Sequence, residues 1–237
     1  SFLTVTGAKL TVEVAKDISI DHLTATGGAA VTISTITRDG VSIAVADTGY
    51  GNGNTEPTAG GRVLSKSWAF DGSMVTVVAW SGINVSDNVT ITDTSADTGT
   101  EDSVVSLKSY TGGVVSSDDL VQEAAIASWK IQDSRLYIEA AENILISHIG
   151  FENAAAYLSS LTQDGVSISY LGMNTATGGG LFIVRDISID DGSQVRVYTR
   201  GEVTITGTIT GSIDEHTLTI FLNNPDSGDV YSAPADV

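Results

Sequence analysis

The sequence predicts an all-β protein: two tandem antiparallel β-sandwich modules, Ig-like or jelly-roll-like, joined by a short helical connector. Three observations carry this. Apolar residues alternate with polar ones at a period of two along most of the chain, as strands with one buried face require. Gly, Asn and Asp punctuate these runs every few residues, and no long helical pattern intervenes. The chain also contains itself twice. Leu10, Glu13, Ala15, Ile20 and His22 return as Leu136, Glu139, Ala141, Ile146 and His148, at one offset of 126 residues. Thr37, Asp39-Gly40, Val41, Ser42 and Ile43 return as Thr162, Asp164-Gly165, Val166, Ser167 and Ile168, and Asp71-Gly72-Ser73 as Asp191-Gly192-Ser193. Val89-Thr90-Ile91 matches Val203-Thr204-Ile205.

Module 1 is placed at residues 1–112 and module 2 at 127–226. The first opens on a strand at 2–6, followed by Leu10-Val12-Val14 and by Ile18, Ile20 and His22 on a common face. Further strands are expected at 29–36, 41–46, 62–70, 73–80, 88–92 and 103–108. Their counterparts lie at 154–161, 166–171, 181–189, 193–199, 202–206 and 216–222. Asp39-Gly40, Asp164-Gly165, Asp71-Gly72 and Asp191-Gly192 are the expected hairpin turns, because Gly accepts positive φ at no steric cost. Residues 113–126 form the connector: Ser116-Ser117-Asp118-Asp119 ahead of LVQEAAIASW reads as a capped, Ala-rich helix start. Residues 227–237 are expected to be an extended tail.

Composition narrows the function. The 237 residues carry 29 acidic and 11 basic side chains, a net charge of −18, with 41% hydrophobic residues and a mean hydropathy of +0.15. The apolar content suffices for a core. With Lys and Arg scarce and scattered, binding to a phosphate backbone or an anionic membrane surface is disfavoured. No apolar run approaches the ~18 residues of a membrane-spanning helix. The opening SFLTVTG lacks a signal-peptide pattern. Cysteine is absent.

Nothing in the sequence assembles a reaction centre, and no cofactor is expected. His22 and His148 are duplicates on strand faces and read as hydrogen-bonded core residues; His216 has no duplicated partner. There is no Gly-x-Ser-x-Gly elbow, and no zinc-type spacing of Cys and His. The glycine pairs near 60 and 179 read as turn glycines, not a phosphate loop. The loop from Asp93 to Asp102 could offer oxygen ligands to calcium, but its spacing is not that of an EF-hand. Trp68, Trp80 and Trp129 are not repeated between the copies, which favours packing over a sugar platform. Asn84-Val85-Ser86 and Asn88-Val89-Thr90 are candidate glycosylation sequons, placed in an insertion of module 1.

The remaining feature is the strand edge. With three prolines and few lysines to blunt it, an open sheet edge invites pairing with another molecule. The strand bearing Phe2, Leu3 and Val5 is the candidate assembly strand. The expectation is a non-enzymatic structural subunit that polymerises with copies of itself into an extracellular filament, surface layer or virion structure. It would act at the cell or virion surface, without nucleic acid or membrane insertion. The alternative is an extracellular adhesin or carbohydrate-binding module, with a glycan as ligand and calcium as a candidate aid; a carboxylate-based polysaccharide hydrolase ranks last.

Overall fold

The computed structural model describes residues 1–45, 56–94, 103–116, 127–190, 192–211, 217–222 and 230–232. Strands lie close to where the alternation places them, but their partners are different. Nearly all are parallel, in one 11-stranded and one 9-stranded sheet. The chain lays a strand in the first sheet, turns, lays one in the second, and returns beside its own start. The product is a β-solenoid of eight coils.

Coil 1 is Phe2–Thr6 then Lys9–Glu13, and coil 2 is Ile18–Thr26 then Ala30–Ser34. Coil 3 is Val63–Asp71 then Met74–Ala79; coil 4 is Ile83–Val85 and Val89–Thr92, then Ser103–Ser109. Coil 5 is Val114–Val115 and Ser128–Gln132, then Ser134–Ala140; coil 6 is Ile144–Glu152 then Ala155–Ser159. Coil 7 is Phe182–Asp190 then Gln194–Thr199, and coil 8 is Val203–Ile205 and Ile209–Gly211, then Thr217–Leu222. Val230–Ser232 closes the second sheet by pairing antiparallel with the last of these.

This overturns the antiparallel sandwich. The error lies in the turns. Asp71-Gly72, with Gly72 at φ 54°, does not reverse the chain onto the same sheet; it hands it from the first sheet to the second. Parallel strands need a long crossover, usually a helix. Here the strand of the other sheet is that crossover, so neither helices nor hairpins are required. The sheets also run without a break through the middle of the chain: Ser103–Ser109 pairs with Ser134–Ala140 over seven residues. The helix expected in the connector falls mostly on residues outside the description, but its last two residues, Ser128 and Trp129, belong to strand Ser128–Gln132, and Val114–Val115 ahead of it is also a strand.

The true repeat is one coil. Phe2 pairs with His22, Trp68 with Val89, Trp129 with Ile149 and Ile187 with Ile209, steps of 20 to 22 residues. Longer steps carry insertions: His22 to Ser67, Val89 to Trp129, and Ile149 to Ile187. The 126-residue duplication is a shift of four coils, through Leu10, Val31, Val75, Val105 and Leu136 in register. The match of Val89 to Val203 is corrected in the same frame. Val203 pairs with Phe182 in the first half of its coil, whereas the position equivalent to Val89 in coil 8 is Ile209.

Two insertions do contain hairpins. Ile36–Arg38, Val41–Ser42 and Ala59–Gly60 form a three-stranded antiparallel sheet, as do Leu161–Gln163, Val166–Ser167 and Gly178–Gly179. Their turns, Asp39-Gly40 (φ 52° and 79°) and Asp164-Gly165 (φ 52° and 80°), have positive φ at both residues, as the sequence predicts.

One core runs from coil 1 to coil 8. Inward residues stack in columns: Leu23, Trp68, Val89, Trp129, Ile149 and Ile187 form one, and Ala25, Phe70, Ile91, Ile131, Phe151 and Ile189 another. Small residues sit next to large ones, Ala25 beside Phe70 and Leu23 beside Trp68, as close packing between layers requires. At the corner leading back to the first sheet the coils approach closely. A Cβ on Gly180 would stand 2.2 Å from the Glu142 carbonyl, which only glycine avoids. The pairs at 60 and 179 are thus stacking glycines.

Candidate functional site

The expected assembly strand is the outermost strand of the first sheet. Phe2–Thr6 pairs in parallel with His22–Thr26 over all five residues. Lys9–Glu13 likewise pairs only with Ala30–Ser34, so among the described residues both sheets end in coil 1 with one edge unpaired. Leu3 and Val5 face the core, Val5 being 7% exposed, and Leu3, Leu10 and Val12 remain half-buried for want of a further layer. Phe2 faces outward instead, 82% exposed, and stacks on the His22 ring at 4.5 Å. At the opposite end Ile209–Gly211, among the described residues, also pairs on one side only, whereas Val230–Ser232 covers the second sheet.

The two duplicated histidines occupy equivalent places, four coils apart, but not in the core. The first sheet bends where two residues, Asp21 and His22, separate the inward Ile20 and Leu23; Ser147 and His148 do the same between Ile146 and Ile149. The bend turns the ring out of the apolar face, and alternation counted through it fails. Along this bend one column runs Phe2, His22, Ser67, Asn88, Ser128, His148, Asp186 and Thr208. His22 Nδ1 lies 2.6 Å from Ser67 Oγ. His148 Nδ1 lies 2.8 Å from Asp186 Oδ2. Asp186 Oδ1 accepts from the Thr208 N–H at 2.7 Å and from its hydroxyl at 2.9 Å. The Thr208 amide above all, with its hydroxyl, His148 and Arg185, holds the Asp186 pKa below the usual carboxylate range against partial burial. His148 Nε2 is buried with no hydrogen-bond partner. The His148–Asp186 pair was invisible in the sequence because an insertion separates the residues; counting coils brings them together.

Other candidates fall into place. Trp68 and Trp129 are core residues, 2% and 0% exposed, and Trp80 stacks on Tyr110 at 5.8 Å beneath the first insertion. Trp68 and Trp129 therefore present no ring face to solvent. A second aromatic series was missed: Tyr137, Tyr157, Tyr170, Tyr198 and Phe221 stack in succession at 4.6–5.3 Å. Tyr170 comes from the 3-10 helix Tyr170–Thr175 of the second insertion, so the stack pins that insertion to the sheet. The three inner rings spend both faces on their neighbours. Asn84 lies in strand Ile83–Val85 rather than in an insertion, and Asn88 is exposed at the bend, its Oδ1 accepting from the Ser128 N–H at 3.0 Å. Most of the proposed calcium loop, 95–102, lies outside the described residues, as do Asp191 and His216. Among the described residues no group of three or more His, Asp or Glu side chains is arranged to hold a metal ion, and no helix is long and apolar enough to cross a membrane.

No family model matches the chain, and no curated protein or solved structure is significantly similar to it.

Proposed function

We propose that the chain is a structural, non-enzymatic solenoid that joins copies of itself end to end in a filament or surface layer outside the cell or on a virion. The single observation that carries this reading is the state of coil 1. Two adjacent strands, Phe2–Thr6 and Lys9–Glu13, offer unpaired N–H and C=O groups on one side, above half-buried Leu3, Leu10 and Val12. A parallel edge of matching twist satisfies those groups and completes that core layer. Another copy carries such an edge for the first sheet in Ile209–Gly211, while its second sheet ends in the antiparallel strand Val230–Ser232. Contact between unlike ends repeats without closing and yields a linear polymer. The acidic surface, net −18, keeps the flanks from associating and restricts contact to the ends.

The test is the 237-residue chain against a version lacking residues 1–6, both followed by light scattering across concentration and by negative-stain microscopy. Linear polymers from the intact chain, lost on deletion, support the reading. Polymers that survive the deletion, or an intact chain that stays monomeric at high concentration, overturn it.

A further inference from the structure

The outer face of coils 5 to 8 carries an open groove of about 350 Å³ that the end-to-end reading does not use. Its floor is a column of small polar residues running along the solenoid, Gly150, Ser188 and Thr210, with Lys130 at one end. Gly150 leaves the floor without a side chain at that rung, and a Cβ there would crowd Ser188 Oγ at 2.8 Å. One wall is Ser128, His148 and Asp186; the other includes Glu152 and Asp190. Lys130 sits 3.6 Å from Glu152, and Asp186 is held by His148 and Thr208. Asp190 has no ion-pair partner among the described residues.

We propose that this groove binds a segment of a neutral or amine-bearing glycan strand. Three features select that chemistry. Its polar groups are hydroxyls, carboxylates and one ammonium fixed on a parallel sheet, a rigid set of acceptors and donors for sugar hydroxyls. The rungs recur at ~4.8 Å, a spacing commensurate with the length of a pyranose ring, so a strand lying along the axis meets like groups on successive coils. The groove opens to solvent instead of enclosing its occupant, which suits a chain segment better than a free small molecule. Three carboxylates against one lysine exclude an anionic, uronate-rich glycan. His148 Nε2, buried and unpaired beside the groove, gains a partner if a sugar hydroxyl reaches it. The first half of the chain lacks the site. Four coils earlier, Thr24 stands in place of Gly150, Ala69 in place of Ser188, and Ser67 in place of Asp186.

The experiment presents the 237-residue chain to arrays of neutral, amino-sugar and uronate oligosaccharides and measures hits by titration. Ser188→Tyr fills the groove with a strand-compatible side chain, Asp190→Asn removes its free charge, and Ala69→Tyr adds the same bulk outside it. Binding of neutral or amino oligosaccharides should fall at least tenfold in Ser188→Tyr and severalfold in Asp190→Asn, and be unchanged in Ala69→Tyr. Should Ser188→Tyr fail to fold by circular dichroism, Asp190→Asn and Gly150→Ser decide. Binding that ignores the groove variants, binding of uronates alone, groove-dependent capture of oligolysine with no glycan bound, or no glycan binding at all overturns the proposal.

Discussion

Coils 2 and 3 and coils 6 and 7 hold a histidine at the same place and differ in the residues around it. Around His22 the neighbours are Phe2, stacked on the ring, and Ser67, hydrogen-bonded to it. Around His148 the same places hold Ser128 and Asp186, and the carboxylate is bonded onward to Thr208 in coil 8. The first arrangement covers its histidine with an apolar ring. The second ties three coils through one charge and leaves small side chains beside a groove. The inward places stay apolar while their sizes trade, Ala25 and Phe70 against Phe151 and Ile189, because a change of volume in one layer is felt by the next. The outer columns are free to change, and chemistry diverges there.

The sharpest way to break this comparison is in the core, where the halves should differ only through burial. Trp129 and Leu3 occupy equivalent positions four coils apart, but Trp129 is fully buried and Leu3 lies in the edge coil. Trp129→Ala should cost about 3–5 kcal/mol by urea denaturation. Leu3→Ala should cost roughly 1 kcal/mol, because half of its transfer gain is not realised in coil 1. Equal costs would mean that coil 1 is covered in solution.

At the histidine column the effects are smaller. Asp186→Ala removes the acceptor of three bonds and should destabilise by roughly 1–2 kcal/mol, discounted for its partial exposure. Ser67→Ala, at the equivalent place, should cost about 0.5–1 kcal/mol. The order reverses if the His148 pair is only a surface contact.

A pH series sharpens the contrast further. The Asp186 pKa is depressed in the folded state, so its contribution is complete above the ordinary carboxylate pKa of about 4 and is lost as pH falls through the depressed value. Protection of the Thr208 amide from hydrogen exchange should therefore drop as pH falls below the ordinary carboxylate pKa of about 4, beyond the intrinsic change in exchange rate. The Trp68 amide, bonded to the Asn88 carbonyl, should hold its protection over that range. A Thr208 amide that follows Trp68 would dissociate the carboxylate from the coil 7–coil 8 junction.

Strands were legible in the sequence because inside–outside alternation is local. Expected 62–70 and 103–108 became Val63–Asp71 and Ser103–Ser109. Pairing direction was not legible, since alternation is the same for a hairpin and for a coil. The 126-residue copy was visible, yet the 20-residue period beneath it was hidden: three of the seven steps between coils carry insertions nearly as long as a coil or longer. Short strands such as Ile83–Val85 and Ile209–Gly211 are three residues each, too few to show a period. The site suffered most. His148 and Asp186 become neighbours only once coils are counted, and the groove's lining comes from four coils whose register no local pattern reveals.

Because the two large sheets pair each coil only with the one before and the one after, tension along the solenoid axis falls on one rung at a time, apart from the insertion contact in which the Ser167 N–H donates to the Tyr110 carbonyl past coil 5. Rupture would proceed rung by rung, and each event would release the chain stored between successive rungs. That length is unequal: 20 residues from Phe2 to His22, but 45 from His22 to Ser67. Under load the long loops would serve as slack, lengthening the molecule in uneven strides as the ladder peels.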